Sequence, residues 1–171
     1  MILSAPFMPQ PQPVIDGFEF ASAGASLRGA LSIRDFPRLH DMLAGHEGEV
    51  AYEVDGVRDG RGRPALRLKL RTRLELRCQR CLEALPFEVQ ADEVLVLGTQ
   101  AEIDAEPDDV HAADRVVAAK EMPVRELVED ELILALPYAP RHAGCSARAS
   151  TDAAEKVSPF TGLRGLMRGK H

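Results

Sequence analysis

The sequence predicts an α+β fold: an antiparallel β-sheet, open or barrel-like, with a helix near residues 123–136 packed on it and short peripheral helices. Three observations predict it. Leu66, Leu68, Leu70, Leu74 and Leu76 alternate with Arg67, Lys69, Arg71, Arg73 and Arg77, the period of a strand with one face in the core and one in water. Leu85, Phe87, Val89 and Ala91 repeat that period downstream. Val124, Leu127, Val128, Leu132 and Ala135 recur instead at helical steps, and Pro137 ends the pattern.

The remaining elements follow in order. Residues 1–14, broken by Pro6, Pro9, Pro11 and Pro13, read as a flexible tail. They carry no Lys or Arg and no apolar h-region, so they do not read as a signal peptide, and a cytoplasmic location is expected. Leu27, Gly29, Leu31 and Ile33 alternate with polar or small residues as a short strand. Phe36, Leu39, Met42 and Leu43 then read as a short helix, with Asp35 as its cap, Pro37 in its first turn and Gly45 at its end. Val50, Tyr52 and Val54 face away from Glu49, Glu53 and Asp55, and Asp59-Gly60 turns the chain into the leucine-rich strand.

Residues 15–137 therefore form the expected core domain, interrupted by an acidic loop over 98–114. Leu132 to Leu136 is apolar nearly all round, which predicts a buried helix end. Residues 138–171 read as a C-terminal extension with a short basic helix at 158–168, where Phe160, Leu163 and Leu166 alternate with Arg164 and Arg168. No apolar run approaches the roughly 18–20 residues that a membrane-spanning helix requires, so no membrane partner is expected.

The 171 residues carry a net charge of −6, the wrong sign for a typical nucleic-acid binder, so any RNA contact must rest on local charge. That charge is unevenly spread. Residues 58–82 hold nine Lys/Arg against two acids, whereas 91–114 hold eight acids and no Lys or Arg. Arg67, Lys69, Arg71, Arg73, Arg77 and Arg80 are the candidate RNA contacts. Same-face strand residues lie about 6.6 Å apart, and guanidinium forks suit phosphate oxygens. The alternatives are a solubilising outer face, or one paired with Glu49, Glu53 and Asp55. No aromatic platform interleaves the stripe. The acidic residues Glu102, Asp104, Glu106, Asp108 and Asp109 read as a solvated linker, as a docking strip for a basic protein, or as a shield over the stripe.

Three cysteines make a disulfide framework an unsuitable reading. Cys78 and Cys81 have the spacing of a zinc half-site, which His142 and Cys145 could complete as a Cys3His set. A buried pair of small side chains and a redox CxxC are the other readings. The redox motif opens a helix, whereas this one lies between two expected strands. Glu126, Glu129, Asp130 and Glu131 resemble a carboxylate cluster, but consecutive helical positions point about 100° apart, so a solvated helix face is expected. No phosphate loop, nucleophile elbow or HExxH is present, and no enzyme is expected.

Cys78-Gln79-Arg80-Cys81, the acidic-then-apolar run from Leu127 to Leu136-Pro137, and Ser158-Pro159-Phe160 with its basic tail occur in one order. In that combination, over roughly residues 15–168, the chain resembles the YceD family. The resemblance implies a mixed β-rich domain and a role in accumulation of large-subunit (23S) ribosomal RNA, in synthesis, processing or stability. It implies ribosomal RNA or large-subunit assembly intermediates as partners. The alternative it leaves open is an adaptor that holds a basic ribosomal protein through the acidic strip. Many members carry further cysteines after the Leu-Pro helix, where this chain keeps Cys145. The family supplies no settled catalytic residues.

Overall fold

The structure is a computed structural model that describes residues 12–105 and 114–145. Its centre is a five-stranded sheet in the order β2-β3-β4-β5-β6, where β2 is Ser26–Ser32, β3 Glu49–Arg58, β4 Pro64–Arg77, β5 Ala84–Gly98 and β6 Arg115–Val117. The first four strands pair antiparallel in chain order as a meander, in keeping with the expected antiparallel sheet. β6 instead runs parallel to β5, so the sheet is mixed. Among the described residues β2 and β6 remain its two edges, and no barrel closes. A second, two-stranded sheet joins β1 (Val14–Ile15) to β7 (Met122–Pro123), and the Val124 amide donates to the Pro13 carbonyl. Pro13 and Val14, expected in the tail, are thus tied to the domain.

Alternation places Val50, Tyr52 and Val54 of β3 and Leu66, Leu68, Leu70, Leu74 and Leu76 of β4 on one face, all buried. Burying such side chains contributes about 1.5–3 kcal/mol each. α3 (Val124–Ala135) packs across this face against β4 and β5. Its stripe Val124, Leu127, Val128 and Leu132 is buried as expected. Its far end differs from the expectation, because Leu134 is 70% exposed and faces away from the sheet.

α1 (Gly17–Ala23) was not anticipated, although its signals are present: Asp16 accepts from the Glu19 amide as N-cap, and Gly24 ends the helix at φ 59°. It lies so close to β3 that a Cβ on Gly56 would overlap the Phe20 carbonyl and sit 2.9 Å from Ala21 Cα. The helix expected after Asp35 is two short 3₁₀ segments, Ile33–Asp35 and Pro37–Met42, and Phe36 rather than Asp35 precedes the second. Residues 98–114 are not all loop. α2 (Gln100–Ala105) forms there, its Thr99-x-x-Glu102 start closed by the Thr99 amide donating to Glu102 Oε2 at 2.7 Å. The expected helix at 158–168 lies outside the described residues.

Of the four carboxylates of α3 expected on a solvated face, Glu126 and Asp130 are exposed and Glu129 and Glu131 are not. Glu129 is 2% exposed and Glu131 6%. Glu129 Oε1 accepts from the Arg38 backbone amide at 2.8 Å, and Arg125 and Arg38 each approach Oε2 to 3.9 Å. Glu129 therefore clamps the second 3₁₀ segment to α3, a structural role rather than a catalytic one. Glu129→Ala is expected to destabilise the fold by about 1–3 kcal/mol, because the part-buried Arg38 amide loses its acceptor. Urea unfolding midpoints measure this.

Burial pushes the Glu131 carboxyl above its ordinary value, and the charges of Glu93 and Asp114 push it further. Its contribution to stability is therefore fully present below the ordinary value of 4.5 and is lost as pH rises through the raised folded value. Glu131→Gln is expected to raise the thermal midpoint by a few degrees at pH 7 and to leave it unchanged near pH 4, read from paired melting curves.

Candidate metal centre and nucleic-acid interface

β4 and β5 are joined by residues 78–83, and this turn carries the first half of the cysteine set. The turn is closed by its own backbone: the Cys78 amide donates to the Glu83 carbonyl and the Leu82 amide to the Cys78 carbonyl, both at 2.9 Å. The chain returns beside it after α3, where the Gln79 amide donates to the Pro140 carbonyl at 2.9 Å. That return brings His142 and Cys145 to the turn.

The four donor atoms of Cys78, Cys81, His142 and Cys145 lie within 4.8 Å of one another. Cys78 Sγ is 3.8 Å from Cys145 Sγ, and Cys81 Sγ is 3.4 Å from His142 Nδ1. Tetrahedral zinc with ordinary Zn–S and Zn–N bonds has S···S edges of about 3.8 Å and S···N edges of about 3.5 Å. His142 Nε2 lies 3.0 Å from the Ala84 carbonyl, which can only accept, so the proton sits on Nε2 and Nδ1 turns its lone pair toward the sulfurs. The set could hold a divalent ion of zinc's preference. The backbone amides of Cys81, Arg80 and His142 hold the Cys78 thiol down to about 5, whereas burial and the neighbouring sulfurs push Cys145 up to about 11.

The basic face adjoins this centre, and cross-strand register divides it in two. At the far half Arg67 makes a bidentate contact with Asp92 at 2.6 and 2.7 Å, and Lys69 pairs with Glu53 at 3.2 Å and Asp55 at 3.7 Å. At the near half Arg71 and Arg73 are exposed, and no carboxylate among the described residues lies within ion-pair distance of either. Arg71 sits opposite Gln90, and Arg73 opposite Glu88, which it does not reach. They border a shallow groove of about 590 Å³ with Glu88 and Gln90. Arg77 donates weakly to the Leu43 carbonyl at 3.4 Å, and Arg80 and Arg141 are exposed beside the cysteine turn. Within the stripe, the cations without a carboxylate partner among the described residues thus lie on the half nearer the cysteine turn.

Of the acidic candidates, Glu102 is engaged by Thr99 and Asp104 by Gln100 at 2.8 Å. Glu106, Asp108 and Asp109 lie outside the described residues. Sequence reasoning did not find the conformation of Leu82, which has φ 65° and is 63% exposed. Among the described residues no helix is long and apolar enough to cross a membrane.

Comparison with curated proteins and with solved structures returned no match. A family model does match, over residues 66–167, a span that starts in β4 and includes the cysteine turn and α3. It does not reach the first two strands of the sheet, which the resemblance had been expected to include. Its description names RNA accumulation and no catalysed reaction. With more than half the chain matched by that model, the protein belongs to the YceD family, the large ribosomal RNA subunit accumulation proteins.

Proposed function

We propose that the chain supports the accumulation of 23S ribosomal RNA by binding it in the cytoplasm, with zinc held by Cys78, Cys81, His142 and Cys145 and phosphates met by Arg71, Arg73, Arg77 and Arg80. One observation carries the reading: within the β4 stripe, the cations without an acidic partner among the described residues lie on the half nearer the cysteine turn, while Arg67 and Lys69 are neutralised within the sheet. A chain of net charge −6 can still meet phosphates there, because Glu88, the acid that borders the groove, does not reach Arg73. The zinc ion would act as a structural tie, joining the segment after α3 to the β4–β5 turn. The adaptor reading has less support, since the described acids of its strip are engaged within α2.

Cells lacking the protein supply the test. The wild-type chain and Arg67→Glu should restore the ratio of large to small ribosomal RNA, and the Arg71→Glu/Arg73→Glu pair should not. Restoration by the double variant, present at wild-type level, would refute the proposed surface.

A further inference from the structure

Leu82 is the single non-glycine residue with positive φ among the described residues, at 65°. An L-residue carrying a Cβ is strained in this left-handed region, and glycine is not. The turn geometry requires the conformation, since the Leu82 amide closes the loop onto Cys78 one residue after Cys81. Packing does not require the side chain, which is 63% exposed and outside the hydrophobic core. A strained apolar side chain that its own fold leaves mostly in solvent is available to meet something else. Its surroundings say what. Around the same turn the exposed Arg77, Arg80 and Arg141 outnumber the exposed Glu83, so whatever meets Leu82 also meets a net positive charge.

We infer that Leu82 is an RNA-contact residue, an apolar tip that packs against an unpaired base while the neighbouring arginines hold the flanking phosphates. This rests on the RNA reading and narrows it to RNA with exposed bases. In a continuous A-form duplex the base faces are stacked and the deep groove is closed to side chains. An apolar side chain gains by contact with a base that is already unstacked, at no cost in unpairing. The arginines supply a sequence-tolerant, salt-sensitive attraction, and Leu82 supplies preference for a base over its absence.

The test uses the zinc-loaded full chain and three labelled RNAs: a single strand of about twelve nucleotides, the same strand with abasic sites at its centre, and the corresponding duplex. Wild type should bind the intact strand about tenfold more tightly than the abasic one, as burial of a leucine side chain allows. Leu82→Gly, which fits the left-handed turn, should lose that preference while keeping zinc content and the salt dependence of binding. Leu82→Met should retain the preference. Leu82→Asn, polar but tolerant of positive φ, should lose it, and it decides the matter if the glycine variant alone loosens the turn.

Variants that match wild type on both strands, with salt-dependent binding intact, would overturn the role of Leu82 and leave the RNA reading standing. Failure of the wild type to bind any of the three RNAs at low salt would overturn both.

Discussion

Stripping the metal with a chelator, or changing Cys81 to Ser, is expected to lower the midpoint of thermal unfolding by about 10 °C. Besides this centre, the segment of His142 and Cys145 is held at the β4–β5 connection by hydrogen bonds such as that from His142 Nε2 to the Ala84 carbonyl. The Gln79 amide to the Pro140 carbonyl is the backbone bond that crosses to them. Without the ion, three sulfurs and an imidazole are left crowded together, and the segment should detach from the turn. The leucines of β4 and the stripe of α3 pack independently of it, so the sheet should persist. Amide exchange would show this directly, with Gln79 losing protection and Leu68 keeping it. Metal analysis of the purified chain should find zinc. A chain free of metal that melts at the same temperature with and without chelator would refute the structural tie.

Reversing charge at Arg71 and Arg73 together is expected to weaken RNA binding by at least a hundredfold at physiological salt. Each lost phosphate contact also reduces the slope of log K against log salt by roughly 0.7–0.9, so the double variant should be less steep by about 1.5. Arg67→Glu is the informative control. Its guanidinium already faces Asp92, whose carboxyl it holds below the ordinary range, so its loss should cost far less affinity. A comparable loss from Arg67→Glu would mean that net charge, not position, governs binding. Equal affinity for the double variant and wild type would remove the surface from consideration.

The meander and α3 were legible because their periods are unbroken over many residues: leucine at alternate positions from 66 to 70, and apolar residues at helical steps from 124 to 132. The cysteine–histidine cluster was legible from residue type and spacing, although only the fold brings Cys145 within 3.8 Å of Cys78. Register was not legible, and it decides which cations are spent within the sheet. In the sequence Arg67 and Arg73 look alike, yet Asp92 reaches the first and Glu88 does not reach the second. Glu129 was misjudged as solvated because a carboxylate gives no sequence sign that an amide from a segment 91 residues away will meet it. The conformation of Leu82 was hidden for a related reason. Glycine at that position would have announced the turn, and leucine conceals it.

The most direct measurement is binding of the zinc-loaded wild-type chain to a large-subunit ribosomal RNA fragment across a salt series. Contacts from Arg71, Arg73, Arg77 and Arg80 should give binding at low salt with a log–log slope of roughly −3. A slope near zero, or no binding at low salt, would contradict the account and return the search to protein partners.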